Sequence, residues 1–162
     1  MSSSAPDAAA SSPSRLGVVI VDHGSRRESS NAMLERFVET FAASTPYEIV
    51  EPAHMELAEP SIATAFARCV ERGARRVVVM PYFLLPGRHW NQDIPELTRA
   101  AAAEHPGVEF LVGSPIGLHP LMVDVIGARL EHCLAHARGE AEACESCAGT
   151  GKCHFRSADD PP

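Results

Sequence analysis

The feature that most constrains this sequence is an alternation, repeated four times, of a short apolar run and an amphipathic segment. The first run, residues 16–21, is continuously apolar, as in a strand of a parallel sheet buried on both faces. The other runs cover residues 48–55, 77–80 and 108–112. The amphipathic segments have helical spacing and cover residues 29–41, 60–72, 94–104 and 120–137. The pattern predicts an α/β fold of three layers, a four-stranded parallel sheet with helices on both faces.

The last helix is expected to pack like the others. Its apolar residues fall on one side of a helical projection and are predicted to face the core: Leu121, Met122, Val125, Ile126, Leu130 and Leu134. The carboxyl ends of parallel strands form the usual ligand-binding rim of such a fold. The loops that follow the strands are therefore where functional residues are expected.

The two ends of the chain differ from the alternating part. Residues 1–14 are mostly Ser, Ala and Pro, which predicts a disordered leader, compatible with the remnant of a transit peptide although it lacks arginine. Residues 15–138 form the predicted domain. Residues 139–162 have no periodicity and are expected to be a cysteine-containing tail with a disordered acidic end.

Charge and hydropathy exclude two classes of partner. The chain has 162 residues, with 21 Asp and Glu against 14 Lys and Arg, a formal net charge of −7. No basic stripe is visible, so nucleic acid is not an expected partner. No apolar run approaches the roughly 18 residues that span a bilayer, so no membrane partner is expected either.

Polar side chains follow three successive strands. His23 comes just after the first strand, Glu56 at the end of the second, and His89 in the loop after the third. Two imidazoles and a carboxylate at one rim suit a divalent transition metal with coordination positions left open. His54, beside Glu56, is either an auxiliary ligand or a surface residue. A phospho-histidine role for His23 is the less favoured alternative.

The loop after the third strand, residues 82–90, combines aromatic side chains and leucines with Arg88 and His89. This mixture suits a large, flat, apolar ligand with acidic edges, whose carboxylates would pair with Arg88, Arg26 or Arg27. The leucines of the loop, Leu84 and Leu85, are equally compatible with packing in the core.

Four cysteines crowd the C-terminal end as a CxxC pair with one cysteine before it and one after it: Cys133, Cys144, Cys147 and Cys153. Four thiolates can hold zinc or an iron–sulfur cluster. His132, His136 or His154 could replace one of them, and the spacing does not choose. The fifth cysteine, Cys69, lies on the apolar face of the second helix and is expected in the core.

Three segments together carry a resemblance to a known family. VDHGSRRESSNAMLERFV, EPAHMELAEPSI and VVVMPYFLLPGRHWNQDIPEL resemble the small class II chelatases, the CbiX/SirB-like family, and in particular their plastid branch. The similarity runs from about Gly17 to Cys153. It implies a lyase that inserts Fe(II) into sirohydrochlorin to give sirohaem and release two protons, with His23, Glu56 and His89 as metal and catalytic residues.

The resemblance also implies a cofactor, an assembly and a location. The plastid branch carries a [2Fe–2S] cluster, which here would be held by Cys133, Cys144, Cys147 and Cys153. Small members are homodimers, and the plastid stroma is the expected compartment. Ser25, Arg26 and Arg88 are the candidates for binding the macrocycle's carboxylates. A cobalt or nickel chelatase, or a metal or tetrapyrrole carrier without turnover, would use the same residues.

Overall fold

The computed structural model describes residues 16–158. Four strands alternate with helices in the predicted order. The strands are β1 (Leu16–Asp22), β2 (Ile49–His54), β3 (Arg76–Pro81) and β4 (Glu109–Val112). The helices are α1 (Glu28–Ser44), α2 (Ile62–Glu71), α3 (Ile94–Ala103) and α4 (Leu121–Ala137), and a π-helical turn (His89–Asp93) leads directly into α3.

The four strands form one parallel sheet in the order β2-β1-β3-β4, as predicted. Alternate residues of β1 point to opposite faces, because the side-chain repeat of a strand is two residues. Val18 and Ile20 pack with Leu34 and Val38 of α1 on one face. Val19 and Val21 belong to a larger core on the other face, to which α2 and α3 contribute Phe66 and Ile94. The helices on both faces confirm the three-layer prediction.

Local sequence explains how α2 begins and ends. Ser61 caps the helix by accepting a hydrogen bond from the Thr64 backbone N–H at 3.2 Å. Cys69 is fully buried within α2, which confirms it as a core residue, and burial raises the pKa of its thiol to about 12. The helix ends before Gly73, whose φ of 99° is in the left-handed region that favours glycine.

The fourth helix forms as predicted. The chain divides into two compact units, residues 1–117 and 118–162, and α4 lies in the second unit. No residue of α4 is buried, and Ile126 is 64% exposed. Periodicity correctly indicated an apolar face, but it does not specify what covers that face.

The described residues include no helix that is both long and apolar enough to cross a membrane.

Candidate functional site

The first candidate side chain, His23, lies in a tight turn after β1. Its Nδ1 donates a hydrogen bond to the carbonyl of Gly24 at 3.2 Å, and its Nε2 is 2.8 Å from Oε1 of Glu56. Both ring nitrogens therefore face acceptor oxygens. Such an arrangement suits a metal cation bound between Nε2 and the carboxylate.

Glycine is required at position 24 for two reasons. Its φ is 86°, and a Cβ built there would lie 2.0 Å from the carbonyl oxygen of Glu56. The backbone N–H of Glu56 also donates to the carbonyl of His23 at 3.1 Å. The absence of a side chain at Gly24 thus lets the His23 turn pack directly on the segment that carries Glu56.

The second candidate histidine, His89, begins the π-helical turn. Its Nδ1 donates to Oδ2 of Asp93, one π-helical turn later, at 2.7 Å. A carboxylate bonded to Nδ1 fixes the ring orientation and leaves Nε2 as the nitrogen with a lone pair for a metal. Asp93 was missed in the sequence, although the spacing of four residues between an imidazole and a carboxylate in a helical segment is a usable signal.

The structure brings the three predicted residues together. The rings of His23 and His89 meet edge to face with centroids 5.2 Å apart, and Glu56 contacts His23. A cleft of about 690 Å³ opens beside them, a size typical of small-molecule sites, lined by Met55, Glu56, Arg88, His89, Asp93, Glu96, Leu97 and Ala100. Within residues 16–158, no three His, Cys, Asp or Glu side chains are already arranged as a metal site. A metal would have to separate His23 from Glu56.

The residues predicted to bind the macrocycle lie around the same rim. Arg88 is 78% exposed and only loosely paired, with its Nε 3.8 Å from Oδ1 of Asp93. Arg26 is exposed, whereas the hydroxyl of Ser25 accepts a hydrogen bond from the Arg27 backbone N–H at 3.0 Å. Ser25 is therefore partly committed to shaping its own turn.

The apolar residues of the loop after β3 divide into two groups. Leu84 and Leu85 are 61% and 69% exposed, so the core alternative is wrong for both. Phe83 packs against the core, and Trp90 is anchored by a hydrogen bond from Nε1 to the carbonyl of Gly113 at 2.8 Å. The two leucines are therefore exposed to solvent, on a loop that Phe83 and Trp90 hold in place.

His54 is not a surface residue, which excludes one of the two sequence-based alternatives. Its side chain is fully buried, and its Nδ1 donates to Oδ1 of Asp22 at 2.6 Å. Sequence reasoning did not single out Asp22.

Comparison with known proteins gives the family. The family model described as CbiX matches residues 17–133, most of the chain. The chain belongs to the CbiX family. Its relatives include the chloroplastic sirohydrochlorin ferrochelatase of Arabidopsis thaliana, 59% identical over 85% of this chain and 61% of the relative. The sirohydrochlorin cobaltochelatase of Priestia megaterium is 34% identical over 70% of this chain and 37% of the relative. This CbiX chain thus spans only part of the length of these relatives.

A solved structure supports the fold of this CbiX chain. The sirohydrochlorin chelatase SirB from Bacillus subtilis subspecies spizizenii, in complex with cobalt, matches with a TM-score of 0.68 at 32% identity. The match covers 72% of this chain and 50% of the solved one. The α/β architecture derived from the strand and helix pattern is therefore that of a chelatase.

Three of the four clustered cysteines lie beyond the part of the chain that matches the CbiX model. The Sγ atoms of Cys144 and Cys147 are 3.5 Å apart in a turn-rich segment, and the thiol of Cys153 interacts with those of Cys147 and Cys133. The backbone N–H of Ser146 and then the groups of Cys147 lower the pKa of the Cys144 thiol. The hydrogen bond with Cys147 raises the pKa of Cys153 to about 11. The four sulfur atoms therefore form one spatial cluster.

Proposed function

We propose that this chain inserts Fe(II) into sirohydrochlorin, giving sirohaem and releasing two protons. The observation that carries the proposal is the contact of His23, Glu56 and His89 at one rim of the sheet beside an open cleft. The relatives named above act on sirohydrochlorin, and the arrangement of imidazole and carboxylate donors suits a divalent metal.

The site residues have two roles, which are to bind the metal and to accept protons. The Nε2 atoms of His23 and His89 bind Fe(II) as it enters, and Glu56 replaces part of its water shell and balances its charge. Two pyrrole N–H groups must lose protons as iron enters the ring. As iron leaves the Nε2 atoms for the ring, each freed imidazole, whose unperturbed pKa is about 6.5, can accept one of these protons near neutral pH. The exposed Leu84 and Leu85 contact the macrocycle face, and Ser25, Arg26 and Arg88 bind its carboxylates.

The test is an anaerobic insertion assay that follows the spectrum of sirohydrochlorin with Fe(II). His23→Ala and His89→Ala are each expected to lower turnover by about 100-fold or more while remaining folded. His119→Ala, an exposed histidine outside the site, is the matched control and should keep wild-type turnover. Wild-type turnover in His23→Ala would overturn the assignment, and binding of sirohydrochlorin without spectral conversion would indicate a carrier.

Cobalt is the alternative metal, because the matched Priestia relative is a cobaltochelatase and the matched SirB structure holds cobalt. Metal choice depends on coordination geometry and supply, not on donor identity alone. Running the assay with Fe(II), Co(II) and Ni(II) in parallel decides it. A higher kcat/KM for Co(II) or Ni(II) than for Fe(II) would reassign the chain as a cobalt or nickel chelatase.

We further propose that Cys133, Cys144, Cys147 and Cys153 hold a [2Fe–2S] cluster. The close sulfurs, and the lowered pKa of Cys144 that favours its thiolate, fit a group ligated by thiolates, whereas the Cys153 thiol, with its raised pKa, would have to lose its proton as the cluster binds. When bound, the cluster would supply one-electron redox chemistry to the tail.

Anaerobically purified protein should be brown, with iron and sulfide in equal amounts. Cys147→Ser should lose the colour, and Cys69→Ala, which changes a buried cysteine of the other compact unit, should keep it. A colourless, zinc-loaded protein of equal activity would contradict the cluster.

A homodimer and a plastid location complete the proposal. Apolar side chains are exposed both on α4 and on the β4 edge of the sheet, including Ile126, Leu130 and Leu111 at 64%, 57% and 59%. Exposed apolar surface of this kind marks an interface, and a second copy offers the same surfaces in return. The chloroplastic Arabidopsis relative supports a plastid location. Within the plastid we propose the stroma, which a fluorescent fusion of this chain would test.

A further inference from the structure

We propose that the buried pair Asp22–His54 holds the turn that carries His23, and that His54 is a positioning residue for metal insertion. The inference rests on the proposed function, because it concerns how the metal-binding candidates are kept in place. It gives His54 a role distinct from that of an auxiliary metal ligand.

One carboxylate oxygen connects two strands and a turn. Asp22 and His54 are direct partners in the register of β1 and β2, at the carboxyl ends of both strands. Oδ1 of Asp22 accepts a hydrogen bond from Nδ1 of His54 at 2.6 Å and another from the backbone N–H of Gly24 at 2.9 Å. Because Gly24 follows His23 directly, the pair ties β2 to the turn that presents the His23 ring.

The backbone hydrogen bonds around the pair show how closely the two segments are joined. The N–H of Met55 donates to the carbonyl of Asp22 at 2.8 Å, and the N–H of Glu56 donates to that of His23 at 3.1 Å. The pair therefore lies beside both His23 and Glu56, and a displacement of either segment would change the spacing of their side chains.

At this position the unpartnered second ring nitrogen of His54 offsets much of the stability that the Nδ1 hydrogen bond to Asp22 supplies. The side chain of His54 is fully buried, and in the described part of the chain its Nε2 has no hydrogen-bond partner. A buried polar atom without a partner is destabilising, and a leucine of similar size would avoid that penalty. What leucine would lose is the hydrogen bond from Nδ1 to Asp22, which is the bond that fixes the turn.

Two substitutions separate positioning from stability. His54→Leu removes the donor and is expected to keep or raise Tm. Its kcat for Fe(II) insertion should fall by about tenfold or more, with an unchanged KM for sirohydrochlorin. His54→Asn places an amide N–H near the position of Nδ1, so it should recover most of the turnover despite a lower Tm. If His54 acts by positioning the turn, the Asn variant should have a higher kcat than the Leu variant. If His54 acts only through the stability of the protein, the Leu variant should have the higher kcat.

A second readout does not depend on turnover. Visible absorption of Co(II) titrated into each protein reports how well the imidazoles converge on a metal. Wild type and His54→Asn should give similar spectra and affinities, and His54→Leu should bind about tenfold more weakly.

The inference fails if His54→Leu keeps wild-type kcat and Co(II) affinity, or if the Leu and Asn variants are equally impaired. If His54→Leu does not fold, Asp22→Ala tests the same bond from its partly exposed partner, and wild-type kcat in that variant overturns the inference. Failure of the proposed function is a separate result, since wild-type protein would then convert no sirohydrochlorin with Fe(II), Co(II) or Ni(II).

Discussion

At the scale of single residues, the two histidines of the site are each held by a hydrogen bond from Nδ1. The acceptor is the Gly24 carbonyl for His23 and the Asp93 carboxylate for His89. Both Nε2 atoms are then the nitrogens available to a metal. Because each ring is held through its Nδ1, changes at residues that never touch the metal should alter insertion.

Asp93→Ala tests this orientation. Loss of the carboxylate frees the His89 ring, and turnover should fall by about 10- to 100-fold with little change in the KM for sirohydrochlorin. Steady-state kinetics measure it, with Asp124→Asn, an exposed acidic residue of α4, as the matched control. Equal turnover in the Asp93 and Asp124 variants would show that His89 needs no partner.

Gly24→Ala tests the close approach of the His23 turn to Glu56. The left-handed φ alone should cost about 1–3 kcal/mol, and the clash of Cβ with the Glu56 carbonyl should add to it. Gly73→Ala is the control, because Gly73 has a φ of 99° but nothing within 4 Å of its Cβ. Urea unfolding should show a larger loss for Gly24→Ala than for Gly73→Ala. Equal losses of unfolding free energy in the two variants would mean that Gly24 does not pack closely against the Glu56 carbonyl.

The sequence predicted which residues converge but not how they are held. A position at or after the carboxyl end of a strand, close to it for His23 and Glu56 and in the following loop for His89, is enough to predict these residues at one rim. The Asp22–His54 pair depends on the register between β1 and β2, which no local pattern specifies. The polar character of His54 suggested a ligand or a surface residue, and its burial became visible only in the folded sheet.

At the scale of elements, the apolar runs predicted the four strands, most clearly β1, because a strand buried on both faces needs no polar alternation. For the fourth helix, the sequence pattern predicts the helix but not its packing partner. Periodicity predicts an apolar face from the sequence, but the surface that covers it is a matter of tertiary or quaternary structure. The π-helical turn at His89 was also not predicted, since its hydrogen-bond pattern leaves no compositional mark.

Ser61→Ala tests the start of α2, the helix that follows the Glu56 segment. Loss of the cap to the Thr64 N–H should lower the free energy of unfolding by about 1 kcal/mol, and Ser61→Gly by only a few tenths. Insertion by the folded variants should be unchanged, because the cap is not part of the rim. An alanine variant as stable as wild type would show that Glu59, which accepts from the Ser61 N–H at 2.8 Å, suffices as a cap.

At the scale of the whole molecule, the proposed homodimer is the association of two copies through the apolar side chains of α4. Ile126→Asp should prevent it, because a charge in an apolar interface would be buried without a partner. Light scattering after size exclusion should give twice 17.4 kDa for wild type and about half that mass for the variant. Glu131→Gln, on the same helix, should leave the dimer intact. A monomeric wild type would contradict the homodimer.

The central claim is that one divalent metal binds between His23, Glu56 and His89. Anomalous diffraction at the cobalt edge from crystals soaked in Co(II) tests it most directly. We expect a peak within bonding distance, about 2.1 Å, of the Nε2 atoms of His23 and His89, with Glu56 turned toward it. A peak confined to the cysteine tail, or none at the rim while wild-type protein in solution inserts metal, would contradict the claim.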